Sequence, residues 1–136
     1  MKTIFITGAT SGIGKATAET FAKQGHRLII CGRRKEVLEQ LQIELSNLTE
    51  VYSLVFDVRN QQEVENAIRS LPEEWKNIDV LVNNAGNAHG LEPISEGNIA
   101  DWDAMMDGNV KGLLYVSQPI IKIMKARNTG HIINIS

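Results

Sequence analysis

The sequence predicts an α/β fold, a doubly wound parallel sheet with helices on both faces and strand order 3-2-1-4-5. Five short apolar runs alternate with longer segments of helical periodicity. The first run ends in a glycine-rich turn, residues 8–14, that leads into a helical pattern. Right-handed crossovers between parallel strands place helices on both faces, so this alternation favours a Rossmann-type arrangement.

Each predicted strand is a short, largely β-branched run of the kind that is buried in a parallel sheet. The predicted strands cover residues 2–7, 27–31, 51–56, 78–82 and 131–135. Residues 128–130 are predicted to form the turn before the last strand.

The helices are predicted from apolar residues at helical spacing and from their end signals. They cover residues 12–24, 35–45, 61–70 and about 101–127. Gly25 is a natural stop for the first, and Asn60 caps the third with Glu63 in the capping-box position. Residues 71–75 are predicted to be a linker, and a loop follows the fourth strand to about residue 99.

The last helix contains residues that disfavour a regular α-helix. Gly108, Gly112 and Pro119 predict irregularities within it. We expect the fifth strand to be an open sheet edge that leaves Ile132, Ile133 and Ile135 uncovered on at least one face. We also expect apolar positions of the helix to be partly exposed, namely Leu113, Ile120, Ile121 and Met124.

The composition excludes several classes of protein. The 136 residues suit one domain, and 43% hydrophobic with 22% charged residues is typical of a globular chain. A net charge of −2 with mixed signs provides no basic surface for nucleic acid or an anionic membrane. The single cysteine, Cys31, excludes an internal disulfide, and no metal site is expected. Since no segment approaches about 20 apolar residues, a cytoplasmic protein is expected.

The glycine turn, Thr7-Gly8-Ala9-Thr10-Ser11-Gly12-Ile13-Gly14, predicts a phosphate site. Its glycines permit a tight turn and a close backbone approach to a ligand. The helix that follows presents free N–H groups and the positive end of its dipole. Three glycines alone would also fit an ordinary strand–helix turn, but the strand before and the helix after favour the phosphate site.

These motifs, taken together, resemble the short-chain dehydrogenase/reductase family. TGATSGIG resembles the family's TGxxxGxG cofactor motif, and residues 83–86 resemble its NNAG motif. Asp57 follows the third strand, Asn109 lies in an Asn-x-x-Gly, and HIINIS resembles the strand before the catalytic serine. The resemblance spans the whole chain and implies that residues 1–136 form an incomplete NADP-binding Rossmann domain of an oxidoreductase.

A narrower resemblance concerns the substrate. DVRN at 57–60, LPEEW at 71–75, IDVLVNNAG at 78–86 and GLEP at 90–93 resemble the bacterial NADP-dependent 3-hydroxy acid dehydrogenases. That subgroup acts on serine and allo-threonine and reduces malonic semialdehyde. The resemblance implies a small 3-hydroxy acid or semialdehyde substrate. It also implies a homo-oligomer, dimer or tetramer, without nucleic-acid or membrane partners.

Arg33 and Arg34 predict NADP(H) rather than NAD(H) as the cofactor. NAD-binding versions of this fold place an acid near this strand end, whereas here the sequence is Cys31-Gly32-Arg33-Arg34. A carboxylate would repel the additional phosphate of NADP, and an arginine fork would bind it. The alternative is a solvated basic pair, which the dipole of the following helix disfavours.

The residues predicted to bind the cofactor lie in four segments of the chain. They are Thr7, Gly8, Thr10, Ser11, Gly12, Ile13, Gly14, Arg33, Arg34, Asp57, Val58, Asn84, Ala85 and Gly86. By resemblance, 57–58 hold the adenine ring, and 83–86 support the cofactor and the first strand. Asp57 could instead be a turn residue, and Asn-Ala-Gly could be only a turn.

Asn109 is the one predicted catalytic residue. The resemblance implies that it bends the helix and holds a water in a proton relay, and a surface asparagine is the alternative. The family's catalytic serine would follow Ser136 directly, or be Ser136 if the register slips by one residue. Its Tyr-x-x-x-Lys motif is not found, since Phe56 and Pro119 stand four residues after the two tyrosines.

Two functions remain open at this point. The chain is a segment of an NADP-dependent reductase, inactive as 136 residues, or a non-catalytic nucleotide-binding or vestigial fragment. Substrate specificity is expected to come mostly from beyond residue 136, with the loop at 87–96 as a contributor.

Overall fold

The computed structural model of the chain describes residues 1–86 and 92–135. These residues form one parallel sheet of five strands: β1 (Thr3–Ile6), β2 (Arg27–Gly32), β3 (Val51–Val55), β4 (Val80–Asn83) and β5 (His131–Asn134). Their order is β3-β2-β1-β4-β5. The structure thus confirms the predicted Rossmann-type fold class and strand order.

Five helices connect the strands: α1 (Gly12–Lys23), α2 (Lys35–Leu45), α3 (Gln61–Arg69), α4 (Ile99–Met106) and α5 (Gly112–Arg127). A π-helical segment, Asp107–Lys111, joins α4 to α5. Short 3-10 turns occur at Glu73–Trp75 and Ile94–Glu96. Within the part of the chain that the structure describes, no helix is both long and apolar enough to span a membrane.

Both faces of the central strands are apolar, because successive strand side chains point to opposite faces. In β1, Ile4 and Ile6 pack on one side and Phe5 on the other, and all three are fully buried. The first side forms a core with residues of α1 and α2, including Ala18 and Leu38. The second side forms a core with residues of α3 and α5, which are Val64, Ile68, Val116, Ile120 and Met124.

Local signals set several element ends as predicted. The Asn60 side chain accepts a hydrogen bond of 3.1 Å from the backbone N–H of Glu63 and caps α3. At the other end of the chain, α5 terminates at Asn128, which adopts the left-handed conformation. The predicted turn at 128–130 is therefore present.

The structure adds detail to two local predictions. The predicted linker at 71–75 contains a 3-10 turn whose Trp75 is buried, with the Arg27 guanidinium 4.0 Å from the centre of its ring. Helix α5 also continues through Pro119. Proline removes one backbone hydrogen bond, and burial of Val116 and Ile120 on either side outweighs that loss.

The expected exposure of α5 is partly wrong. Ile120 and Met124 are buried in the core shared with α3, because the sheet covers this stripe of the helix without further elements. Ile121 is exposed as expected and Leu113 is half-buried, while Leu114, which was not on the predicted stripe, is exposed. On β5, Ile132 and Ile133 are half-buried, in contrast to the fully buried strands at the centre of the sheet.

The neighbours Ile120 and Ile121 provide a matched test of this packing. Ile120 is 0% exposed and Ile121 is 37% exposed. We expect Ile120→Ala to lower the free energy of unfolding by about 2–5 kcal/mol, because it leaves a cavity. Ile121→Ala is expected to cost less than about 1 kcal/mol. Urea denaturation of both variants measures the difference, and equal losses would contradict the assigned helix orientation.

Candidate functional site

A cleft of about 410 Å³ opens at the carboxyl ends of β1, β2, β3 and β4. The carboxyl ends of parallel strands meet at one edge of the sheet, where ligands bind in such folds. The cleft gathers nearly all of the predicted cofactor residues: Thr7, Gly8, Thr10, Ser11, Gly12, Ile13, Arg33, Arg34, Asp57, Val58, Asn84, Ala85 and Gly86. Segments separated by up to 79 positions in sequence thus share one surface.

Gly14 is predicted to bind the cofactor but does not line the cleft. It is buried beneath the turn, where an added Cβ would overlap the carbonyl oxygen of Gly8 and the side-chain amide of Asn84. Gly14 therefore lets α1 approach the turn closely. Gly8 has a φ of +61°, and a Cβ there would lie 3.0 Å from the Ala85 backbone, so both positions require glycine.

The hydroxyl of Thr7 joins the glycine turn to the end of β4. It accepts hydrogen bonds from the backbone N–H groups of Asn84 at 3.0 Å and Ala85 at 2.9 Å. The Asn84 side-chain amide in turn donates to the carbonyl oxygen of Gly8 at 3.1 Å. These bonds fix the two loops relative to each other. The support of the first strand expected from residues 83–86 is visible in these contacts.

The N-terminus of α1 faces the cleft without a cap. Ser11 is the N-cap residue, yet its side chain makes no capping hydrogen bond, and the first turn contains no acidic residue. The first N–H groups of a helix lack intrahelical acceptors, and the helix dipole adds a partial positive charge there. The arrangement suits a bound anion such as a phosphate.

Arg33 and Arg34 add full positive charges beside this helix end. Both are exposed and line the cleft where β2 ends and α2 begins. Among residues 1–86 and 92–135, neither forms an ion pair, so their guanidinium groups remain available to a ligand. The arginine pair and the α1 N-terminus together make this region of the cleft positive.

Asp57 is half-buried at the end of β3 and is bound by Arg59. Its Oδ1 accepts a hydrogen bond of 3.0 Å from the Arg59 backbone N–H, and its Oδ2 lies 2.7 Å from the Arg59 guanidinium. The side-chain hydrogen bond from Arg59 lowers the pKa of Asp57 most, burial opposes it, and the charges of Arg59 and Arg33 lower it further. Asp57 is thus both a turn residue and an ionised acceptor on the cleft wall.

Asn109 lies in the π-helical segment, at the irregularity predicted from Gly108. Its side chain lies against Gly86, where an added Cβ would overlap Asn109 Oδ1. Gly108, rather than Asn109, lines the cleft. The structure therefore brings Asn109 to the end of the 83–86 segment, and its part in a proton relay stays a prediction.

Several residues of the site were not predicted. Cys31, Gly32, Phe56, Arg59, Ala104 and Gly108 also line the cleft. Their positions at strand ends were a signal for Gly32 and Phe56, whereas Ala104 and Gly108 reach the cleft only through tertiary packing. Burial raises the pKa of the Cys31 thiol well above its usual value, so the thiol is protonated at neutral pH.

Asn83, the first residue of the 83–86 segment, belongs to the site's framework through contacts that were not predicted. Its buried side-chain amide donates to Ser117 Oγ at 2.9 Å and to Asn134 Oδ1 at 3.0 Å. Asn83 and Asn134 are register partners in the sheet. These bonds join β4, α5 and β5 at the same edge as the cleft.

Some predicted positions lie outside the described residues. Ser136 and residues 87–91 of the expected specificity loop are among them. Within the described ranges, no group of three or more histidine, cysteine, aspartate or glutamate side chains is placed to hold a metal ion.

The Thr7 contacts can be tested by removing only the oxygen. Thr7→Val keeps the shape but leaves the N–H groups of Asn84 and Ala85 without their acceptor. We expect a loss of about 1–3 kcal/mol in the free energy of unfolding. Thr7→Ser retains the oxygen and is expected to lose less than about 1 kcal/mol. Chemical denaturation compares the two, and a valine variant as stable as the serine variant would refute the assigned role.

Comparison with known proteins identifies relatives of this chain. The family model for short chain dehydrogenases matches residues 2–136. The NADP-dependent 3-hydroxy acid dehydrogenase YdfG of Escherichia coli O6:H1 is 47% identical over 132 residues, which cover 97% of this chain and 52% of the relative. The chain thus spans about half the length of the curated relatives it matches.

Solved structures agree with this result. Serine dehydrogenase from Escherichia coli is 45% identical with a TM-score of 0.91, and the match covers 98% of this chain and 61% of that one. The closed form of serine dehydrogenase complexed with NADP+ is 46% identical, also with a TM-score of 0.91, over 98% of this chain and 53% of the other. This chain belongs to the short chain dehydrogenase family.

Proposed function

We propose that residues 1–136 are the NADP(H)-binding part of an oxidoreductase that interconverts a hydroxyl and a carbonyl on a small 3-hydroxy acid or semialdehyde. The observation that carries the proposal is the cleft itself. A glycine turn and an uncapped helix N-terminus follow β1, two arginines without an ion pair in the described chain follow β2, and an ionised aspartate follows β3; all of them line this cleft.

The cleft fits the parts of a dinucleotide. The N–H groups at the start of α1 would bind the pyrophosphate, and Arg33 with Arg34 would bind the 2′-phosphate through charge-assisted hydrogen bonds. Asp57 and Val58 would hold the adenine ring, and residues 84–86 would support the cofactor. When bound, NADPH supplies the hydride for carbonyl reduction. The relatives support this cofactor, since YdfG is an NADP-dependent dehydrogenase and serine dehydrogenase was solved in complex with NADP+.

In the complete protein, hydride transfer to a carbonyl would build negative charge on the carbonyl oxygen. That charge requires stabilisation by donors and protonation by a general acid. The family resemblance assigns those tasks to a serine, a tyrosine and a lysine, and the chain's own contribution would be Asn109 as support of the relay. The position of Asn109 against Gly86 places it next to the cleft and supports this role.

We further propose that the complete protein is a cytoplasmic homo-oligomer. The exposed Leu114 and Ile121 of α5 and the half-buried edge strand β5 support association. The second candidate function is a nucleotide-binding chain without turnover. It is favoured by the distribution of predicted residues, since cofactor residues dominate these 136 positions and Asn109 alone is predicted to be catalytic.

The cofactor preference can be measured directly. We expect the complete protein to bind NADPH more tightly than NADH, because an arginine–phosphate contact contributes about 1.5–3 kcal/mol, or roughly 10- to 100-fold in affinity. Replacing Arg33 and Arg34 together by alanine should remove the preference by weakening NADPH alone. Arg69→Ala, which removes a charge from the end of α3, is the matched control. Titration of each variant with NADPH and with NADH measures the preference. A preference for NADPH that survives the double substitution would exclude 2′-phosphate binding by Arg33 and Arg34.

Turnover separates the two candidate functions. We expect the complete protein to oxidise NADPH in the presence of malonic semialdehyde or small 3-oxo acids, whereas the 136-residue chain should show no meaningful rate. A positioned general acid alone is worth roughly 10²–10⁴-fold. The assay follows NADPH absorbance for both proteins. Equal rates would overturn the assignment of the catalytic groups, and no rate in the complete protein would favour the non-catalytic candidate.

A further inference from the structure

Arg59 differs from the other two arginines that line the cleft. Arg33 and Arg34 form no ion pair within residues 1–86 and 92–135, whereas Arg59 binds Asp57 through both its main chain and its side chain. The Arg59 Nε donates to Oδ1 at 3.1 Å and to Oδ2 at 3.2 Å, and Nη2 donates to Oδ2 at 2.7 Å. The Asp57 carboxylate is therefore held in one orientation.

Arg59 also lies near a second element, the π-helical segment. Its pKa is raised by the hydrogen bond to Asp57, by the charge of Asp57 and, with burial opposing, by the charge of Asp107 in the π-helical segment. The Arg59 Cγ lies 4.0 Å from a Cβ built on Gly108. Arg59 and Asp57 line both the cleft and a neighbouring open groove, so this pair is the wall between them.

The hydrogen bonds of Arg59 show what it does not do. Both oxygens of the Asp57 carboxylate accept hydrogen bonds from the Arg59 side chain, so its guanidinium is less available to a phosphate than those of Arg33 and Arg34, which form no ion pair in the described chain. Its side-chain hydrogen bonds go to the carboxylate of Asp57, a residue that lines the cleft. The effect of Arg59 on a ligand must therefore pass through Asp57.

An ionised carboxylate can only accept hydrogen bonds. A purine with an amino group at position 6 satisfies that acceptor, whereas a purine with a carbonyl at position 6 turns lone pairs toward it. A fixed carboxylate cannot rotate away or be protonated easily to accommodate the carbonyl. The Arg59–Asp57 pair can therefore distinguish a 6-amino purine from a 6-oxo purine.

We propose that Arg59 is a specificity-determining positioning residue, which fixes the Asp57 carboxylate at the base end of the cleft so that the site selects adenine over 6-oxopurine dinucleotides. The inference rests on the proposed NADP(H) function. It adds to that function a residue that acts on the base and not on the 2′-phosphate.

The test compares NADPH with its deaminated analogue, reduced nicotinamide hypoxanthine dinucleotide phosphate, as ligands of the complete protein. We expect the unmodified protein to prefer NADPH by roughly 10- to 100-fold, the ratio typical of a charged hydrogen bond. Arg59→Gln should reduce this ratio to below about threefold by weakening NADPH binding. The ratio of NADPH to NADH affinity should stay unchanged in the same variant. Arg69→Gln, the matched control, should leave both ratios unchanged.

The outcomes are separable. An unmodified protein that binds neither dinucleotide overturns the proposed function together with this inference. Tight NADPH binding without discrimination against the deaminated analogue, or an Arg59→Gln variant that keeps the full ratio, overturns the inference alone. If Arg59→Gln does not fold, Arg59→Lys takes its place, because lysine keeps the charge but cannot form the two-pronged contact. A reduced base ratio in that variant supports the inference, and an unchanged ratio overturns it.

Discussion

The structure of the cleft depends on one hydroxyl group. Thr7 stands where β1 ends, and its oxygen accepts two backbone hydrogen bonds from the segment that follows β4. Because strand pairing ends at this point, side-chain bonds must hold the two loops together above the sheet. This connection brings the two loops so close that Gly8 and Gly14 have no room for a side chain, and Asn84 bonds the Gly8 carbonyl oxygen across the gap. The α1 N-terminus is aimed into the cleft as a result.

The charged side chains in the cleft fall into two groups. Arg33 and Arg34 form no ion pair within the described chain, and together with the α1 N-terminus they attract anions, while the charge of Arg33 also acts on Asp57. At the end of β3, Arg59 is matched by Asp57, and this end presents a fixed acceptor. The two arginines without ion pairs suit the binding of an anion, and the Arg59–Asp57 pair suits the orientation of a hydrogen-bonding group. A dinucleotide has the same division, with phosphates along its length and a hydrogen-bonding base at its end.

The sequence predicts the parts of this fold that are repeated and local. Apolar runs such as 27–31 define buried strands, and Asn60 with Glu63 defines a helix start, because each signal lies within a few residues. Long-range packing decides what local patterns cannot. Trp75 lies in a predicted linker, and only the structure shows that its ring packs under Arg27, 48 positions away in sequence. Ile120 was predicted to be partly exposed, whereas the sheet covers it.

The candidate site divides in the same way. The cofactor residues of the glycine turn were predictable, since glycine spacing reflects a backbone requirement that is visible in sequence. The role of Asn83 depends on which side chains meet across the sheet edge, because its amide donates to Ser117 and Asn134. Arg59 contacts Asp57 only two positions away, and tertiary packing then decides that this local pair lines the cleft.

The π-helical segment between α4 and α5 has a geometric consequence for how this chain tolerates change in length. Each residue of an α-helix advances the chain by about 100° around the axis, and a π turn contains one residue more than an α turn. The segment Asp107–Lys111 therefore sets α4 and α5 out of phase by roughly that angle relative to one continuous α-helix. Deleting a single residue here would restore the regular helix and rotate Asn109 away from Gly86, whereas the same deletion in the loops would shift no face. The extra residue thus rotates α5 relative to α4, so that the two consecutive helices present their side chains in different directions.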